Sequence, residues 1–164
     1  MQRKLAVLAV ALLTTACLSL KQPAHAQTIG THASRKVDGR EAKIVAAVRA
    51  VLDAQTAAWN RGDIEGFMDG YARSDETTFV SGDTLTRGWQ TVLDRYKKSY
   101  DSREKMGTLV FSDLEVKVLN NTTALAFGRW QLTRAADTPH GRFSLTFRRA
   151  KAGWRIIHDH TSSA

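Results

Sequence analysis

From Thr108 onward the chain alternates with a period of two, interrupted only by short runs of turn-forming residues. Thr108 to Leu119, Thr122 to Arg134, Arg142 to Arg149 and Trp154 to Thr161 read as four strands. Asn120-Asn121, Asp137 to Gly141 and Lys151-Ala152-Gly153 separate them. Connections this short suit hairpins, so the expected sheet is an antiparallel meander.

What precedes the meander is mostly helical. Ile44, Val48, Leu52, Gln55 and Trp59 follow steps of four, four, three and four, one face of an amphipathic helix. Asn60-Arg61-Gly62-Asp63 ends it, with Gly62 as a C-cap and Asp63 as the N-cap of a short second helix. Ile64, Phe67, Met68 and Tyr71 form the buried stripe of that helix. Thr77 to Ser81 and Thr84 to Thr86 flank a Ser81-Gly82-Asp83 turn. Gly88 opens a third helix with the stripe Trp89, Val92, Leu93, Tyr96 and Tyr100. The expected fold class is α+β: three N-terminal helices packed on one face of a curved antiparallel sheet. A sheet bent over a helix in this way leaves a cone with an open mouth.

The first 26 residues read as a targeting signal. Arg3 and Lys4 precede the apolar run Leu5 to Leu13, and Ala24-His25-Ala26 fits a small-x-small cleavage site. The expected mature chain starts at Gln27 and is periplasmic or secreted. The run is too short to span a membrane, which takes about 20 residues. Cleavage after Ala26 is preferred over a lipoprotein at Cys17, because Thr14 stands where that pattern wants an aliphatic residue. Residues 27–39 form a polar leader and residues 40–164 a single domain. Removing Arg3, Lys4 and Lys21 lowers the formal charge from +8 to +5. The remaining basic residues are scattered and do not form the stripe of a nucleic-acid site. Cys17 is the only cysteine, so the mature chain has no disulfide, thiolate nucleophile or cysteine-based metal site.

The chemistry-bearing residues concentrate at the end. His158 and His160 share one face of the last strand, and Asp159 takes the other. They are the candidate catalytic residues, with closure of the sheet edge as the structural alternative. Arg129 shares a strand face with Leu125, Phe127 and Gln131, where it holds an anionic ligand, pairs internally, for example with Asp159, or is simply exposed if that face is the open one. Trp130, on the opposite face, becomes a dimer anchor if Arg129 points inward. Gln55 interrupts an apolar stripe and either points into the cone to bind ligand or is a satisfied core glutamine. Tyr71, Trp89, Trp59 and Tyr96 lie on core stripes but carry polar handles suited to a pocket. His140 and His32 are poorly placed to complete a metal site with the two strand histidines, so no metal or other cofactor is expected.

Three segments carry a family resemblance: Ala58-Trp59-Asn60-Arg61-Gly62-Asp63 through Tyr71, Gly88-Trp89, and Gly153-Trp154-Arg155-Ile156 through Ser162. In this order they resemble the nuclear transport factor 2-like (NTF2-like) superfamily, in its SnoaL-like and DUF4440 branches. The resemblance implies the cone-shaped fold and a homodimer through the outer face of the sheet. It does not imply one chemistry. The steroid isomerase branch has a tyrosine near the position of Gln55 and an aspartate base near Phe79 or Val80, and neither group stands there. The C-terminal end is also similar to the association domain of calmodulin-dependent kinases, with Arg129 at the position of a pocket arginine. The expected role is binding a small, partly apolar molecule, its polar end near Arg129 and His158/His160. The alternatives are an enzyme using histidine acid/base chemistry and an assembly module without ligand chemistry.

Overall fold

A computed structural model describes residues 39–164. The signal and most of the leader expected at the N-terminus lie outside the described residues. The element order is α1 (Gly39–Asn60), α2 (Ile64–Met68), β1 (Thr78–Ser81), β2 (Thr84–Arg87), α3 (Trp89–Ser99), α4 (Arg103–Met106), β3 (Thr108–Asn120), β4 (Thr123–Thr133), β5 (His140–Ala150) and β6 (Gly153–Thr161). The fold is α+β as expected, with helices followed by a curved, unclosed six-stranded sheet.

The expected helical stripe is buried. Ile44, Val48, Leu52, Gln55, Ala58 and Trp59 line the inner face of α1. Gly62 has φ +87°, a left-handed turn that glycine adopts without steric cost. Asp63 caps α2 by accepting the Gly66 backbone N–H at 2.7 Å. The fourth helix, α4, has too few residues to show a helical period. Its signal is Ser102, whose hydroxyl accepts the Lys105 N–H, followed by Gly107 at φ +63°. A side chain at Gly107 would meet the Thr133 carbonyl at 2.6 Å, so the sharp passage into β3 needs glycine there.

Two side chains fasten the end of α1 to the sheet. Asn60 donates Nδ2 to the Leu109 carbonyl at 3.0 Å and accepts the Leu109 N–H at 2.7 Å. Trp59 donates its indole N–H to the Met106 carbonyl at 3.1 Å. These contacts hold the helix over the concave face of the sheet.

The sheet order is β2-β1-β6-β5-β4-β3. The four-stranded meander is antiparallel as its hairpin connections require. The expectation that the whole sheet is antiparallel needs one correction: β1 runs parallel to β6. The helical segments α1 and α2 precede β1, which lets that strand enter beside the last one without a hairpin. The pairing sets Phe79 against Asp159 and Ser81 against Thr161.

Of the three register shifts in the sheet, two lie beside the residues of the concave face. On β3, Ser112 pairs with Arg129 and Glu115 with Phe127, so Asp113 and Leu114 face a single residue. Asp113 lies at φ +51°. On β6, Thr146 pairs with His158 but Phe147 pairs with Ile156, leaving Ile157 as the extra residue. Bulges of this kind add curvature and re-aim the side chains that follow.

The Asn60 clasp gives a test of how helix and sheet are joined. Asn60→Ala should lower unfolding free energy by about 1–3 kcal/mol, since it leaves the Leu109 groups without their partner. Urea denaturation measures this. An unchanged midpoint would show that the clasp contributes nothing.

Candidate functional site

The concave face of the sheet and the helices above it enclose a cavity of about 170 Å³. Aromatic side chains are the largest group in its wall. Trp59 comes from α1, Phe67 from α2, Phe79 from β1, and Tyr96 and Tyr100 from α3 and its end. Their rings pack in edge and tilted contacts, among them Trp59–Phe67 at 5.1 Å, Trp59–Tyr100 at 4.7 Å and Phe79–Tyr96 at 5.6 Å. Edge contacts of this kind suit the ring quadrupoles and hold each ring in one orientation. Phe111, Trp130 and Phe143 form the facing wall on β3, β4 and β5.

The one carboxyl among the cavity residues is Asp159. It is 4% exposed. Both of its oxygens are held: Tyr71 donates its hydroxyl to Oδ2 at 2.6 Å, and Thr161 donates to Oδ1 at 2.7 Å. Burial pushes the pKa of Asp159 up to about 6, against the lowering effect of these two hydroxyls and of nearby His160. Burial and the Asp159 charge together hold the Tyr71 phenol well above its ordinary range, so Tyr71 stays a proton donor. Tyr96 is raised by the same two causes. The arrangement is a carboxyl able to exchange a proton near neutral pH, fixed in place and set among aromatic rings.

At the rim stand Ser81, Ser99, Ser163 and Arg95. Arg95 stacks its guanidinium over the Phe79 ring at 4.8 Å and donates to the Thr86 hydroxyl at 2.8 Å.

The structure divides the residues singled out in the sequence. Trp59, Tyr96 and Asp159 line the cavity. Tyr71 lies behind its wall and reaches it through Asp159. Gln55 is buried at 2% exposure and donates to the Phe67 carbonyl at 3.0 Å, within the helix packing. Trp89 donates to the Met68 carbonyl at 2.9 Å and lies under the Arg73 guanidinium, away from the cavity.

Arg129, His158 and His160 take the convex face, contrary to the expectation that they converge in the cone. Alternation on β4 sends Ala124, Ala126, Trp130 and Leu132 inward and therefore Arg129 outward. Trp130 thus lines the cavity instead of anchoring a dimer, and its indole N–H donates to the Ser162 carbonyl at 2.9 Å. On β6 the cause is the bulge. Unbroken alternation from Trp154 and Ile156 would bring His158 and His160 inward; the extra residue Ile157 exchanges the two faces and brings Asp159 and Thr161 inward instead. His158 Nδ1 lies 2.7 Å from the Thr78 hydroxyl on the neighbouring strand. Among the described residues no group of three or more potential metal ligands occurs.

Sequence reasoning missed Arg95, Ser99 and Thr161. Arg95 and Ser99 are four apart on α3, beside the Tyr96/Tyr100 stripe, so helical spacing held a usable signal. Thr161 depended on the bulge.

Asp159 makes a stability prediction. Its pKa is about 6 in the fold and near the ordinary 3.8 when unfolded. Between those values the folded protein holds a proton that the unfolded chain has released, so stability falls as pH rises from about 4 to about 6. A gap of roughly two pKa units corresponds to about 3 kcal/mol. Asp159→Asn should therefore be more stable than the parent at pH 7–8, by up to that amount, and lose this slope. Urea unfolding at pH 4.5, 6 and 8 reads the difference; a variant less stable at pH 8 would contradict the assigned burial cost.

Comparisons with known proteins agree with this architecture. Residues 48–164 match the SnoaL-like domain. No curated protein matches. An NTF2-like protein of unknown function from Shewanella oneidensis MR-1 is 37% identical with a TM-score of 0.69, over 72% of this chain and 98% of that one. A cystatin-like-fold domain of unknown function from Nostoc punctiforme is 20% identical, TM-score 0.63, over 73% and 76% of the two chains. A putative calcium/calmodulin-dependent kinase II association domain from Xanthomonas campestris is 17% identical, TM-score 0.58, over 71% and 85%, and so shares the fold. By the family match over most of its length and by its likeness to the Shewanella protein, this chain belongs to the SnoaL-like family of NTF2-like proteins.

Proposed function

We propose that the cone binds a small, largely apolar molecule whose polar group meets Asp159. The observation that carries the reading is one buried carboxyl, held by two hydroxyls, in a cavity otherwise walled mainly by aromatic and leucine side chains. A packed core has no reason to keep such a group, because burying it costs free energy that an apolar residue would not. The volume limits the ligand: about 170 Å³ compares with the roughly 150 Å³ cavity that accepts benzene. The ligand body is therefore about one ring or an equivalent branched chain.

The raised pKa of Asp159 supports a second reading, an enzyme in which this carboxyl moves a proton. General acid/base groups work best with a pKa near the operating pH. Acid/base work by His158 or His160 finds no support in the geometry, since both lie on the convex face.

We also propose export with cleavage after Ala26, on the charged start, the apolar run and Ala24-His25-Ala26. Among the described residues no helix is long and apolar enough to cross a membrane. A homodimer through the convex face is supported by the exposure of Val110 and Phe127 there.

One measurement addresses all three proposals. Native mass spectrometry of the protein purified from its own host should give a dimer of chains starting at Gln27, with a small molecule bound. Ser99→Trp, which fills the exposed rim, should keep the dimer and lose the small molecule. A ligand-free parent, or a variant that retains the ligand, would count against the cone as its site. A lipidated Cys17 would overturn the cleavage site, and a monomer the assembly.

A further inference from the structure

We infer that the cone selects a small organic acid that carries a hydrogen-bond donor at its far end, with Arg95 holding the acid group at the rim and Asp159 accepting from the donor inside. The inference rests on the cone being a ligand site and adds the ligand's chemistry.

Two opposite charges line this one cavity, and neither has an ion-pair partner. Arg95 makes one hydrogen bond, to the neutral Thr86 hydroxyl, and forms no salt bridge among the described residues. A guanidinium carries five donors in a fixed fork, so most of Arg95 is left for an incoming group. Its orientation is set from two sides, by the Phe79 ring beneath it and by Thr86. A fork held open in this way fits a carboxylate in two parallel bonds. Arg134 is not part of this pair: it lies outside the cavity lining, 6.0 Å from the Tyr100 ring, and its guanidinium is 3.7 Å from Asp137. The buried Nε of Arg134 has no hydrogen-bond partner.

Asp159 imposes the opposite preference deeper in. Each of its oxygens already accepts one hydroxyl and has a second lone pair to offer. An acid group placed beside it would meet like charge, which turns the ligand's anionic end toward Arg95. A hydroxyl or N–H at the other end would satisfy Asp159. The aromatic walls between the two charges take an apolar body, and the volume holds it to about one ring.

The test uses 4-hydroxybenzoate, its methyl ester and benzoate as probes. Trp59 and Trp130 both line the cavity, so intrinsic fluorescence reports occupancy. The hydroxy acid should bind at least tenfold more tightly than the ester, the range expected when one charged hydrogen bond is lost. It should also bind more tightly than benzoate, which offers Asp159 nothing. Arg95→Gln should remove the advantage of the acid over the ester while leaving ester binding unchanged, and Arg95→Lys should restore part of it. Equal affinity for acid and ester, or an advantage that survives in Arg95→Gln, overturns the assignment of Arg95 and leaves the cone as a binding site. Equal affinity for hydroxybenzoate and benzoate overturns the donor requirement. No binding of any probe overturns both this inference and the reading it rests on.

Discussion

The free-energy cost of one buried carboxyl organises this protein. Asp159 sits at 4% exposure in a wall of aromatic rings, and its pKa rises to about 6 as a result. Tyr71, reaching from the end of α2, and Thr161, two residues further along the same strand, offset part of the desolvation. Several features of the fold serve that placement. The parallel entry of β1 beside β6 puts Phe79 next to Asp159. The bulge at Ile157 turns Asp159 inward, and the bridge between Tyr71 and Ile156 brings the phenol within reach.

The same features explain the curvature. A flat six-stranded sheet could not wrap the helices and still leave a chamber. The irregularity at Asp113 bends β3 where Phe111 turns into the cavity, and the bulge at Ile157 acts on β6. The chamber is then closed by α1, clasped to β3 through Asn60 and Trp59. Fold and site are thus one construction: the bulge that helps shape the cone also chooses which side chain looks into it.

Much of the fold was legible in the sequence because it rests on periodicity. The α1 stripe from Ile44 to Trp59, the turn at Gly62-Asp63 and the four hairpin-linked strands follow from spacing and turn chemistry alone. The site was legible only in part. Trp59 and Tyr96 lie on helical stripes, and both line the cavity. His158, His160 and Asp159 were recognisable as a cluster, but which of them faces the cone depends on a single extra residue. Ile157 is as apolar as the strand around it, so composition does not mark it as a bulge. With a side-chain period of two, one such residue reverses the reading of everything after it. Arg129 was misjudged for a different reason. The inner face of β4 carries small residues, Ala124, Ala126 and Gly128, where the chain packs tightly, and the larger Phe127 lies outward at 38% exposure.

Asp159 faces the cone as a buried carboxyl whose pKa burial raises to about 6. NMR titration of side-chain carboxyl carbons, assigned by comparison with Asp159→Asn, tests it most directly. One aspartate should titrate near pH 6, well separated from the other carboxyls, and move higher in Tyr71→Phe when a stabilising donor is removed. An Asp159 resonance titrating at or below pH 4 overturns the burial cost assigned to this carboxyl.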